Sequence, residues 1–345
     1  MGLFDQLFGR RDAFEVVTDV ALEGHPVGLA FTAGDRKLVA LTGEGTVVVV
    51  DIAQRASPRR TEVHTGGALS LAAHASRPRI ATGGMDGRVA FLDATSGALE
   101  REQMLAPGGW IEHLLWWEDT LVAAHGRTVS LIAPDGSTRR LGPHASTVAG
   151  LSLGRGARGE PALAVARFGG LDVHPLGRDE PPRTLAWSSS LVSVAWSPDG
   201  RFVAAGCQDN ALHFWRMPSG DDSMMGGYPG KPKVIAWSPA SDALATAGAE
   251  DVVVWSFRGA GPEGTTPLEL RAHARSVTAL AWSPDGRLLA SGARDGDCCV
   301  HDGRREGPPL VRLELGGTVA ALAFSGDGRW LAAASSEGLL RLVRR

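Results

Sequence analysis

Residues Arg271–Asp302 read Arg-Ala-His-Ala-Arg-Ser-Val-Thr-Ala-Leu-Ala-Trp-Ser-Pro-Asp-Gly-Arg-Leu-Leu-Ala-Ser-Gly-Ala-Arg-Asp-Gly-Asp-Cys-Cys-Val-His-Asp. The stretch holds a His-led linker, an apolar alternation ending in Ala281-Trp282, the turn Ser283-Pro284-Asp285-Gly286, a second strand Arg287–Ser291, a tight Asp295-Gly296 turn and a third strand. Apolar residues that alternate, or run for a few positions between Gly, Asp and Pro, read as strands. Asp-Gly suits the hairpin turns whose two central residues take positive φ.

The same cassette recurs along the chain. Its tight turn falls at Glu44-Gly45, Asp86-Gly87, Gly126, Gly170, Asp209-Asn210, Glu250-Asp251, Asp295-Gly296 and Glu337-Gly338, about 42 residues apart on average. That spacing predicts eight units, or seven if the faint units between Gly108 and Leu176 merge. A small antiparallel sheet of this kind cannot bury both faces alone and must stack on copies of itself. Radial stacking gives an all-β, single-domain β-propeller of four-stranded blades over residues 14–345, with residues 1–13 left as a tail or short cap. The uninterrupted period outweighs the length prior of two or three domains. Each unit begins with the outer strand of the preceding blade, and the chain ends on a third strand, Leu339–Val343, so the last blade is one strand short. Phe14–Leu22 has the alternation to fill the gap, which would close the ring and remove an exposed edge.

Ala195-Trp196-Ser197-Pro198-Asp199-Gly200, followed by Ala204-Ala205-Gly206, Asp209-Asn210 and Phe214-Trp215, resembles one WD repeat, and Ala281–Asp302 resembles another. The resemblance covers residues 14–345, and implies a non-catalytic platform for a protein or peptide partner. In a full WD repeat a linker His, a second-strand Ser or Thr, the turn Asp and a third-strand Trp form one hydrogen-bonded set. Here the His place is held by His64, His144 and His273, but by Trp187 and Tyr228 in two other units. Trp215 and Trp255 hold the Trp place, with Val50, Leu92, His301 and Val343 elsewhere, and no unit visibly keeps all four. Apolar stacking is therefore expected to supply most of the stability.

Composition narrows the function classes. A net charge of −3 with both signs interspersed excludes the basic face of an electrostatic nucleic-acid binder. Three cysteines, Cys207, Cys298 and Cys299, are too few and too oddly spaced for a disulfide framework. No apolar run reaches membrane-spanning length, and the N-terminus lacks the order of a signal peptide, so a cytoplasmic monomer is expected. Arg far outnumbers Lys, of which only Lys37, Lys231 and Lys233 occur, a bias read as that of a GC-rich bacterial genome.

Chemical motifs are weak. Gly154-Arg155-Gly156-Ala157-Arg158-Gly159 fits the dinucleotide fingerprint literally, but strands and not a helix flank it, so it reads as a surface loop. In Cys298-Cys299-Val300-His301, alternation puts Cys299 and His301 on one face of a strand, two ligands where a closed zinc site needs four. Buried thiols and a core imidazole account for the motif better; a metal- or small-molecule-binding sensor is the alternative function it leaves open. No Gly-x-Ser-x-Gly elbow and no repeated pair of carboxylates occurs, so no enzyme and no cofactor is expected. Leu3, Phe4, Leu7 and Phe8 could form one side of a short N-terminal helix, a cap on the ring or a contact with a membrane or partner.

A propeller binds through the loops at its channel mouth. Aligning units on Trp282 puts Trp110 and Lys231 at the place of Ser276, and Glu112 and Lys233 at that of Thr278. Met85, Gln208 and Arg294 precede the tight turns of their blades, and Arg275 lies in a linker facing the same way. The most atypical linker, Asp221–Lys233, carries Met224, Met225 and the only tyrosine, Tyr228. It is expected to leave Met224, Met225, Tyr228 and Lys231 at least partly exposed beside Trp110 and Arg294, in one surface of the kind enriched in binding hot spots. The competing reading has Tyr228 standing in for the linker His, buried against the next blade.

Overall fold

The computed structural model describes residues 14–54, 57–156, 159–259 and 261–345. Its strands form eight antiparallel sheets, seven of them in chain order and the last completed by the N-terminal strand; blade one, for example, runs Pro26–Phe31, Lys37–Thr42, Thr46–Asp51 and Arg59–Glu62. Blades two to seven follow from Ala68–Ala73, His113–Trp117, Gly150–Arg155, Ala195–Trp196, Val234–Trp237 and Val277–Trp282 as their first strands, and blade eight from Val319–Phe324. Each of these first strands packs on those of its two neighbours, and Pro26–Phe31 meets Val319–Phe324, so the sheets form a closed ring.

Blade four departs from the pattern. Its middle strand, Pro161–Pro175, serves as two: Ala166 pairs back to Gly150, and Gly170 pairs forward to Ala186, with a register shift between Phe168 and Gly170. Gly169 and Gly170, at φ of 89° and 127°, give the chain the bend that side-chain-bearing residues resist. The faint units therefore do not merge, and the ring has eight blades.

Glu15–Ala21 pairs with Leu339–Arg344 as the fourth strand of the last blade, Val20 opposite Leu340 and Val16 opposite Val343. The Arg341 guanidinium donates to both carboxylate oxygens of Asp19, at 2.8 and 2.7 Å. On the far side of the junction Asp35 accepts from the backbone N–H groups of Gly326 and Asp327, both at 2.8 Å, joining blade one to blade eight.

Strand alternation explains why the stack holds. Leu38 and Ala40 face blade eight, while Val39 and Leu41 of the same strand face blade two. Phe202 and Ala204 face blade six while Val203 and Ala205 face blade four. The described residues form eight apolar clusters, one in each gap between neighbouring blades. Each large aliphatic chain buried there contributes about 1.5–3 kcal/mol.

Repeated polar contacts fix the geometry. In the Ser-Pro-Asp-Gly turns the serine hydroxyl donates to the Asp and accepts a backbone N–H five residues from the serine: Ser197 with Asp199 and Phe202, Ser283 with Asp285 and Leu288. Ser325 makes the same set with Asp327 and Trp330. The indoles of Trp116, Trp237 and Trp282 donate to Ala72, Ala195 and Ala236 of the preceding blade at 3.0–3.1 Å.

Candidate binding surface

Antiparallel order within a blade puts the inter-blade linkers and the turns between second and third strands at one end of the ring. Backbone bonds there repeat with the blades: the N–H groups of Gly43, Met85, Gln208, Arg294 and Ser336 donate to the carbonyls of His25, Gly67, Ser190, Ser276 and Thr318 at 2.7–3.0 Å. Just beneath, hydroxyls tie neighbouring blades together: Ser70 donates to the Ile111 carbonyl, Ser193 to that of Pro232 and Thr278 to that of Val319. Glu112 and Lys233 hold the Thr278 position in blades three and six, as the alignment on tryptophan places them.

Large apolar side chains gather on one sector of this end. Trp110 is 52% exposed, Met85 37% and Phe168 60%, on the linkers and turns of three consecutive blades. Trp110 lines a groove of about 330 Å³ with Glu112, His125 and the Gly108-Gly109 backbone. Burial, reinforced by Arg140, pushes His125 below the usual imidazole pKa, and its Nε2 lies 2.9 Å from Ser130 Oγ. The other sector is polar: Gln208, Lys233, Arg275 and Arg294 are exposed, and Lys231 is half-buried. Phe168 was missed in the sequence; its signal was a large apolar residue at a Gly169-Gly170 bend, in a unit recognised only by spacing.

The Tyr228 linker corrects an expectation. Tyr228 is 8% exposed and Met225 is 8%, both within the apolar cluster between blades five and six. Tyr228 Oη lies 2.7 Å from Thr246 Oγ1 and accepts from Trp255 Nε1 at 2.6 Å, the positions His and Trp hold in a full repeat. Met224 is exposed, but on the outermost strand of blade five, opposite His213. Neither Tyr228 nor Met225 joins Trp110 and Arg294 on an open surface; of that linker only Lys231 and Lys233 lie at the channel end.

Other linker residues are equally structural. His64 reaches Asp86 and Thr82, and His273 reaches Asp295 and Ser291. His301 completes the latter set, its Nε2 3.0 Å from Ser291 Oγ, so the imidazole takes over the indole's place in the repeat. In blade four Asp172 accepts two bonds from Arg167, at 2.7 and 2.6 Å, and one from Thr184, with His144 Nδ1 at 2.8 Å. Burial opposes ionisation of Asp172, but these bonds hold its carboxyl well below the usual range. Burial pushes His174, edge-on to His144, down to about 4.

The metal reading loses its residues. Cys298 and Cys299 are fully buried, burial pushes the Cys299 thiol up to about 11, and His301 is spent on Ser291. Among the described residues no group of three or more His, Cys, Asp or Glu could hold a metal ion. Residues 1–13 lie outside the described residues, as does Ala157-Arg158 of the glycine-rich loop. No helix among the described residues is long and apolar enough to cross a membrane.

The ring of blades defines a β-propeller; of its exposed large apolar side chains, Met85, Trp110 and Phe168 lie at the linker end, and Val16, Leu99, Met104, Met224 and Leu310 lie on or beside the outermost strands. Three stretches of the chain, residues 179–216, 264–302 and 311–343, match the family described as WD domain, G-beta repeat. That family is generally non-catalytic. Coronin-7 of Rattus norvegicus is 29% identical over 138 residues, 37% of this chain and 14% of its own length. The Arabidopsis thaliana protein Cell division cycle 20.1, cofactor of APC complex, is 31% identical over 108 residues, 30% of this chain and 22% of its own. Protein HIR1 of Cryptococcus neoformans is 30% identical over 146 residues, 36% of this chain and 16% of its own. The chain thus spans less than a quarter of the length of these relatives. All three come from eukaryotes, so the bacterial source read from composition gains no support. The crystal structure of the computationally designed Ika8 protein superposes with a TM-score of 0.76 at 20% identity, covering 94% of this chain and 98% of that one, a likeness of fold.

Proposed function

We propose that this chain is a non-catalytic scaffold that acts as a cytoplasmic monomer and holds a protein or peptide partner at the channel mouth. One observation carries the reading: Met85, Trp110 and Phe168, all substantially exposed, occupy the same end of three consecutive blades. Exposed aromatic and Met side chains beside a groove are the composition of interface anchors. Across the mouth, Lys233, Arg275 and Arg294 supply the charged rim, with Glu112 at the groove. The partner this suits offers an apolar anchor for the Trp110 groove and carboxylates for the basic rim.

Affinity purification from native lysate tests it. Wild-type protein should retain a stoichiometric partner, and Trp110→Ala with Arg294→Glu should lose it while melting unchanged, each hot-spot truncation costing about 1–3 kcal/mol of binding. Retention of the partner by the double variant would refute the mouth assignment.

A further inference from the structure

A second cavity, of about 320 Å³, lies beside the linker between blades five and six, away from the Trp110 groove. Tyr228 and Trp255 line it, and Gly226, Gly227 and Gly248 add no side chain to fill it. In the blades where this third-strand place is held by Leu92, Trp215, His301 or Val343, the residue is at most 1% exposed. Trp255, at the same place, is only half-buried. This linker leaves open a ring that the others cover.

The aromatic floor is also locked. Trp255 N–H can only donate, so it gives its hydrogen to Tyr228 Oη at 2.6 Å. The Tyr228 hydroxyl then gives its own to Thr246 Oγ1 at 2.7 Å, and Thr246 donates to the Val253 carbonyl at 3.1 Å. An indole N–H begins this relay and a carbonyl ends it, so it runs one way. The polar atoms are satisfied inside the blade, which leaves ring surface for a ligand.

The walls are acidic. Glu250, Asp251 and Glu269 line the cavity against a single resident cation, Arg271. Arg271 lies 2.5 Å from Glu269 and 3.8 Å from Asp251, with a side chain 73% exposed to solvent. Glu250 has no ion-pair partner among the described residues.

We propose that this cavity receives the guanidinium of an arginine side chain from a partner peptide. A planar cation stacks on indole and phenol rings and forks onto carboxylates, which a compact ammonium does less well. Arg271 is then an internal competitor for the same carboxylates. The proposal rests on the Tyr228–Trp255 cavity and not on the mouth surface, so each can fail without the other.

The probe is a capped Gly-Gly-Arg-Gly-Gly peptide, with citrulline and lysine counterparts, titrated into ¹⁵N-labelled full-length protein. The Trp255 indole signal is assigned by its loss in Trp255→Phe. The arginine peptide should shift that signal saturably, the lysine peptide more weakly and the neutral citrulline peptide not at all. Glu250→Gln with Glu269→Gln should weaken binding about fivefold, the size expected of two rim ion pairs. Arg271→Gln should strengthen it. Trp110→Ala should leave the Trp255 response intact. An unmoved Trp255 signal, an equal response to citrulline or lysine, or weaker binding in Arg271→Gln would overturn the proposal.

Discussion

Tyr228 decides between two uses of one loop. Its hydroxyl joins Trp255 to Thr246, so replacing it removes both ring packing and a hydrogen-bonded link. Tyr228→Ala should cost about 3 kcal/mol or more, as a large core truncation does. Tyr228→Phe should cost about 1–3 kcal/mol, because the Trp255 N–H loses its acceptor. Urea unfolding of both variants checks this; an unchanged midpoint in Tyr228→Phe would refute the relay. The same logic applies to buried imidazoles. Burial holds His174 and His301 at about 4, while the unfolded chain takes up protons on them near 6.5. Their contribution is therefore fully present above about pH 6.5 and is lost as pH falls from there toward 4. Melting temperatures should drop across that window, and His174→Gln with His301→Gln should flatten the drop.

The inner strands of most blades were legible because their alternation has a physical purpose on both faces. Val39 and Val203 face one neighbouring blade while Leu38 and Phe202 face the other, and the pattern needs no partner to be read. The closing strand was legible for the same reason, with the missing fourth strand of the last blade as a second clue. Deleting residues 1–22 should cost several kcal/mol or abolish folding, since Leu339–Arg344 would present an unpaired edge and Val20 would leave the cluster it packs on. A truncated protein with unchanged melting temperature would contradict the pairing. Blade four was harder. Its long bent strand carries turn glycines without the Asp-Gly signature, so neither the Arg167–Asp172 pair nor the exposed Phe168 could be placed from spacing. The linker of Tyr228 misled in the opposite direction: unusual composition suggested a surface, where the fold uses Tyr228 as a buried substitute for histidine.

The proposed function places binding in the turns at the mouth, where Met85, Trp110 and Phe168 are exposed on consecutive blades. The exposure of Trp110 could be read in the sequence, since aligning units on Trp282 puts it in the place of Ser276. The most direct measurement of a mouth-binding scaffold is photo-crosslinking in the source cells, with a photoreactive residue replacing Met85 at the mouth or Arg329 at the opposite end. A discrete protein adduct from position 85, lost on adding Trp110→Ala, is the expected result, with none from position 329. An adduct from position 329 and none from position 85 would contradict the account.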